Sequence, residues 1–141
     1  MLRNQKGFTL IELVIIIVIL GILAVVAIPW YQDILAQAKD ASCRSGLGYL
    51  RSGATIFYAN NAITTGTAVW PTLEQLSTPD IVLPKGQEIP GNPYQDGDNA
   101  PDSIVYGVLK GEIVGTRGGW VYNPETGEIW PNTNRVGENT W

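Results

Sequence analysis

The first fifth of the chain is one long apolar run. Residues 8–30 consist mainly of Leu, Ile, Val and Ala, and Glu12 is the single charged side chain among them. Because about 20 consecutive apolar residues suffice to cross a bilayer as a helix, this pattern predicts a membrane-spanning helix. A charged side chain at the centre of such a span costs roughly 2.5–3.5 kcal/mol, so Glu12 is a candidate functional residue.

A second pattern follows, in which apolar side chains recur at steps of three and four. Such residues share one face of a helix, here Leu47, Leu50, Ala54 and Phe57. We therefore expect the helix to continue to about Asn61 and to lay this face on a globular head. The glycines at positions 46, 48 and 53 disfavour a helix, because each costs roughly 1 kcal/mol of helix stability relative to alanine. A local loosening of the helix near Gly46 is therefore a second possibility.

Beyond residue 61 the pattern changes to turns, prolines and short alternating segments. Thr72 precedes Gln75 by three positions, the spacing of a capping box, and predicts one short helical turn. Five prolines between residues 79 and 101 exclude regular structure from about 78 to 102, which leaves an ordered or a disordered loop.

The carboxy-terminal third has the pattern of strands. Apolar residues from Ile104 to Leu109 predict a strand, and a Lys110-Gly111 turn leads into an expected second strand at residues 112–115. Two further apolar segments flank the turn at residues 124–127 and predict a hairpin. We predict an α+β fold: a long amino-terminal helix spine whose carboxy-terminal half packs on a small antiparallel sheet of three or four strands.

The segment KGFTLIELVIIIVILGILAVVAIPWY resembles the amino terminus of type IV pilins and of type II secretion pseudopilins. The resemblance implies cleavage after Gly7 by a membrane prepilin peptidase that also methylates the new terminal residue, Phe8. It implies that Glu12 pairs with a neighbouring subunit's terminal amine during assembly. It also implies that the helix loosens at Gly21 and Pro29 within filaments.

Two simpler interpretations of the run are weaker. The apolar core of a secretory signal peptide has about 7–15 residues, fewer than this run contains. A plain membrane anchor explains the length but gives no reason for Glu12 or for the Gly7-Phe8 junction.

Three parts are therefore expected. They are a prepilin leader peptide (1-7), the transmembrane and filament-core half of the helix (8-31), and an extracytoplasmic globular pilin-like domain (32-141). Arg3 and Lys6 place the amino terminus in the cytoplasm, because positive residues flanking a span stay there. The predicted localisation is the inner membrane, single pass, and then a periplasmic or extracellular filament. The expected partners are other copies in a helical filament, the prepilin peptidase, an inner-membrane assembly platform, and lipid before assembly.

Composition narrows the functional classes. The net charge is −4, and loss of the leader leaves seven basic and 13 acidic side chains, so no nucleic-acid partner is expected. With no histidine, catalytic Ser-His-Asp arrangements and histidine-bound zinc are impossible, and we expect no enzymatic activity. Cys43 is the only cysteine, so the carboxy-terminal disulfide loop described for many pilins cannot form. The distal region must be held in another way, and the pattern gives Trp141 no role.

A cluster of carboxylates lies in the proline-rich loop. Asp96, Asp98 and Asp102 lie within seven residues, and calcium takes six to eight oxygen ligands. A structural calcium ion is thus a weak candidate cofactor. A solvated turn is the favoured alternative, because Asp, Asn, Gly and Pro are the residues that turns require.

Two functional classes remain. The first is a structural filament subunit, either a type II secretion pseudopilin or a surface type IV pilin for adhesion, motility or DNA uptake. The missing disulfide, the GNPY sequence at residues 91–94 and the closing GGWVYNPETGEIW segment resemble pseudopilins and favour the former. The second class is a membrane-tethered module that binds calcium or another ligand.

Overall fold

The structure is a computed structural model that describes residues 7–141. Most of the predicted leader, with the Arg3 and Lys6 side chains on which the predicted orientation depends, lies outside the described residues. Contacts divide the chain between Ala38 and Lys39 into two compact units. We call the second unit, residues 39–141, the head.

Helix α1 spans Leu10–Thr65. It begins two residues after Phe8, because Thr9 caps it, and it continues past the predicted end at Asn61. The hydroxyl groups of Thr64 and Thr65 donate to main-chain carbonyls one turn earlier, and Gly66 with a positive φ of 74° follows the last turn. A glycine in this conformation is the usual helix terminator, so the end lies at Gly66.

The predicted loosening of the helix near Gly46 does not occur, because α1 is continuous there. A Cβ on Gly46 would lie 3.1 Å from the Trp120 ring, and one on Gly53 would lie 2.9 Å from Leu83. These glycines let the helix approach the rest of the head closely. The packing that follows outweighs the propensity cost.

The segment after α1 is ordered and contains the predicted short helix α2, Leu73–Ser77. Its capping box is present, since Thr72 Oγ1 accepts from the Gln75 N–H at 3.2 Å and Gln75 Oε1 accepts from the Thr72 N–H at 2.9 Å. The proline-rich loop is an ordered one. Buried Asn92 fixes it, because its Nδ2 donates to the Gly119 carbonyl at 2.8 Å and its Oδ1 accepts from the Tyr94 N–H at 3.0 Å.

The sheet has three strands in the order β1-β2-β3: β1 is Ile104–Tyr106, β2 is Trp120–Asn123 and β3 is Glu128–Pro131. The predicted hairpin is present, with Val121 opposite Trp130 in antiparallel register. The α+β prediction is confirmed, but the sheet is mixed, because β1 runs parallel to β2 with Val105 opposite Val121. The expected strand after the Lys110-Gly111 turn does not form. Instead, residues 107–119 return the chain to the start of β1, which only a crossover connection allows.

The core of the head lies between α1 and the sheet. From α1 it contains Cys43, Leu47, Leu50 and Ala54, and from the sheet Ile104, Trp120, Tyr122 and Ile129. The predicted apolar face of α1 is therefore the buried one at three of its four positions, and Phe57 packs at its margin.

Candidate functional site

Thr9 and Glu12 form a capping box at the first turn of α1. The Thr9 N–H and the Thr9 hydroxyl both donate to Glu12 Oε2, at 2.8 and 2.7 Å, and the Glu12 N–H lies 3.3 Å from Thr9 Oγ1. These bonds satisfy main-chain groups that a helix start leaves without partners. Sequence reasoning missed this role of Thr9, although the same spacing predicted the box at Thr72.

The capping box leaves half of the Glu12 carboxylate available. Within residues 7–141 all hydrogen bonds to this side chain are made to Oε2, and Oε1 accepts none. Glu12 is exposed on the isolated chain. The carboxylate is thus oriented by its own chain and still has one oxygen free to meet a cation.

The surface of α1 around and beyond Glu12 is mainly apolar and uncovered. Leu10, Val25 and Trp30 are 81, 75 and 72% exposed, and all residues from 7 to 39 are exposed in the isolated chain. In an 18-residue window of this helix the mean hydropathy is 3.3 and no residue is buried. Helix α1 is therefore long and apolar enough to cross a membrane. A surface of this kind requires lipid or other protein around it.

The other residues implied by the resemblance lie on this segment. Gly7 and Phe8 precede the first turn of α1, and Phe8 is 79% exposed. Gly21 and Pro29 lie inside the uninterrupted helix. Pro29 has no N–H for the carbonyl four residues earlier, so one helical hydrogen bond is missing there. Cleavage, methylation and loosening at these four positions stay predictions.

The three aspartates of the proline-rich loop do not converge. Asp96, Asp98 and Asp102 are exposed, and Asp96 and Asp98 lie on either side of the start of a short 3-10 turn at Gly97–Asn99. Within the part of the chain that the structure describes, no three His, Cys, Asp or Glu side chains are grouped to hold a metal ion. These three aspartates therefore do not form a ready-made cation site, and calcium binding stays a prediction from sequence.

The distal end of the head is held by two arginines of α1 in place of a disulfide. The Arg51 guanidinium donates to the Ile129 carbonyl at 2.7 and 3.1 Å and also to the Trp141 carbonyl. Arg44, two turns earlier, lies 3.6 Å from the centre of the Trp141 ring. Trp141 thus has a structural role that its position beyond the last strand did not reveal.

Two buried ionisable groups complete this end of the head. Burial raises the pKa of the Cys43 thiol to about 12, and its Sγ lies 3.7 Å from Asn92 Oδ1. Burial would raise the pKa of Glu138, but N–H groups of Arg135 and Val136 that donate to the carboxylate outweigh it and lower that pKa. Cys43 is a packed thiol, and Glu138 closes the last loop.

Comparison with known proteins identifies the family that the amino-terminal segment matches. The family described as the prokaryotic N-terminal methylation motif matches residues 2–28. A type IV major pilin protein of Neisseria gonorrhoeae is 46% identical over 110 residues, which cover 78% of this chain and 46% of that relative. The resemblance to type IV pilins is confirmed.

Two further relatives extend the comparison of this pilin-like chain. A fimbrial protein of Eikenella corrodens is 40% identical over 67 residues, covering 48% of this chain and 40% of the relative. A type IV major fimbrial protein of Dichelobacter nodosus is 50% identical over 48 residues, which cover 34% of this chain and 31% of that relative. The chain thus spans less than half the length of each of these relatives. No solved structure matches it significantly.

Proposed function

We propose that this chain is a structural, non-enzymatic subunit of a type IV pilus-like filament. It enters the inner membrane as a precursor, is cleaved after Gly7 and assembles through the apolar surface of α1. One observation carries the proposal: the apolar segment 8–30 of a membrane-length helix has a single carboxylate, which is held at the first turn of α1 and has one oxygen without a hydrogen bond among the described residues 7–141. A tether in lipid has no use for that carboxylate, whereas a filament that excludes lipid can pair it with a neighbour's terminal amine.

The pairing sets subunit register more than it adds stability. Removing one partner of a buried ion pair costs about 3–5 kcal/mol, whereas the complete pair is often neutral. A subunit added out of register would leave Glu12 without a partner and incur that cost. Correct addition is thereby favoured over incorrect addition.

Substitutions at Glu12 test the proposal, because capping and pairing can be separated there. Glu12→Ala removes both. Glu12→Gln keeps an oxygen for the Thr9 N–H and hydroxyl but removes the charge, and Thr9→Val removes the hydroxyl but keeps the charge. We expect both Glu12 variants to insert in the membrane and to yield at least tenfold less sheared filament than wild type, and Thr9→Val to assemble. Wild-type filament yield from Glu12→Gln would refute the pairing role and leave only the cap.

Within this class we favour a surface pilus over a secretion pseudopilin. The relatives are named as major pilin and fimbrial proteins. The GNPY loop, the closing hairpin and the lack of a disulfide support the pseudopilin alternative. Electron microscopy of sheared surface material, with mass spectrometry of its main band, separates them. Abundant long fibres made of this chain are expected for the pilus, and short or absent fibres at native expression would favour the pseudopilin.

A further inference from the structure

One loop of the head exposes several large apolar side chains. We call residues 106–113, which are the last residue of β1 and the loop that follows it, the apolar loop. Its exposed side chains are Tyr106 (47% accessible), Val108 (56%), Leu109 (67%) and Ile113 (46%). Single exposed apolar residues are ordinary, but four large ones within eight residues make this segment a candidate interaction surface.

Buried polar side chains of the head form hydrogen bonds with the main chain of the apolar loop. Four side chains that are each at most 8% exposed make these bonds: Asn123, Trp130, Asn132 and Asn139. They bind main-chain groups of residues 108, 111, 112 and 114 at donor–acceptor distances of 2.6–3.0 Å. A surface loop ordinarily satisfies its main chain with water, so this network fixes the loop in one conformation.

The tip of the apolar loop is a closed turn. The Glu112 N–H donates to the Leu109 carbonyl at 3.0 Å, and Gly111 has the positive φ of 87° that such a turn requires. At the base of the loop a Cβ on Gly107 would lie 2.3 Å from Val121, so the chain is packed tightly against β2. Leu109 is therefore held out in solvent and cannot fold back on the head.

The charges of the apolar loop suit contact between like-charged molecules. Residues 39–141 carry seven basic and 11 acidic side chains, so neighbouring heads repel one another. The loop contains one residue of each sign, Lys110 and Glu112, and the Lys110 ammonium is 3.7 Å from Glu128 of its own chain. The loop itself carries no net charge, so two heads can approach here with less repulsion than their overall charge implies.

The proposed filament supplies the partner. Helices that pack directly have axes about 8–10 Å apart, whereas a unit of about 100 residues has a radius of gyration of about 13 Å. Heads attached to packed helices must therefore touch unless the helices are displaced by the length of a whole head. The nearest large protein surface available to an exposed apolar face of a head is then the head of another copy.

We propose that the apolar loop of one subunit docks on the head of a second copy in the filament, at a surface other than the loop itself. The proposal rests on the filament function proposed above. A loop-to-loop contact would be a two-fold interface, which closes on a pair of subunits, whereas a contact between two different surfaces repeats along a filament.

Thiol labelling of Leu109→Cys tests this docking. Cys43 is fully buried, so the introduced thiol is the reactive one, and Leu109 is exposed enough for the variant to fold. A maleimide is reacted with intact filaments and with the same full-length chain solubilised from membranes in detergent. We expect modification at least tenfold slower in filaments. The matched control, Glu125→Cys on the exposed β2–β3 turn, should change less than threefold.

Three results would overturn the docking. The first is equal labelling of Leu109→Cys in filaments and detergent. The second is equal protection of the Glu125→Cys control. The third is protection that persists in membranes when Glu12→Ala is added to block assembly, because a covering molecule other than a second copy would then be present. Each presupposes that filaments form with the unsubstituted chain, whereas failure of that step refutes the proposed function itself.

Discussion

The Arg51 clamp on the distal end of the head gives a quantitative prediction. Replacing Arg51 with Met keeps the apolar stem and removes the guanidinium, which leaves the Ile129 and Trp141 carbonyls without their donor. Hydrogen bonds to a charged group contribute about 1.5–3 kcal/mol each. With the donor to two acceptors lost, the free energy of unfolding of the head should fall by about 3 kcal/mol or more.

Arg44→Met is the matched control on the same helix face. It removes a contact with the Trp141 ring and an exposed ion pair with Asp40 at 3.3 Å, worth together about 1 kcal/mol. Arg51→Lys should lie between the two, because an ammonium keeps the charge but does not span both carbonyls as the planar guanidinium does.

Urea unfolding of the full-length chain in detergent, followed by near-UV circular dichroism of the buried tryptophans, measures these differences. In a thermal scan, 3 kcal/mol corresponds to about 12–24 °C for a unit of this size. If Arg51→Met costs less than about 1 kcal/mol, or no more than Arg44→Met, the clamp does not hold the distal end.

Two more predictions concern the head. The pKa of Glu138 is below its usual value of 4.5 in the folded chain, so its contribution is complete above pH 4.5 and is lost as the pH falls through the folded pKa. Acid titration of stability should therefore show a loss below about pH 4.5 that is smaller in Glu138→Gln, and equal slopes would contradict this role. Gly53→Ala should lower the free energy of unfolding by about 1–3 kcal/mol, because its Cβ would meet Leu83 at 2.9 Å. Gly48→Ala, which meets nothing within 4 Å, should instead raise it by up to about 1 kcal/mol, and thermal denaturation in which both changes have the same sign would disprove the packing argument.

The elements that were predictable from sequence are those set by local pattern. The apolar run, the face of α1 at Leu47 and Leu50, the Thr72 capping box and the final hairpin all follow from spacings within a few residues. The parallel pairing of β1 with β2 was not predictable in this way, because it depends on how residues 107–119 cross the sheet. The helix continued through Gly46 for a similar reason, since the Trp120 ring that requires a glycine there comes from 74 positions later.

The candidate site was predictable to the same extent. Glu12 is conspicuous as a charge in an apolar run, whereas Arg51, Asn92 and Trp141 acquire their roles through partners distant in sequence. The three aspartates are a different case. The sequence places them close together but cannot show whether other elements bring their carboxylates to one ion; all three are exposed, and calcium binding stays a prediction.

The capping box bears on the proposed cleavage after Gly7. In the uncleaved chain the nitrogen of Phe8 is a neutral amide, and Glu12 is already held by Thr9 one residue farther on. Cleavage after Gly7 would turn that nitrogen into a cation without requiring the first turn of α1 to rearrange. Proteolysis would thus act as an electrostatic trigger. The subunit would become competent to polymerise through a change of one charge, with the carboxylate that receives it positioned beforehand.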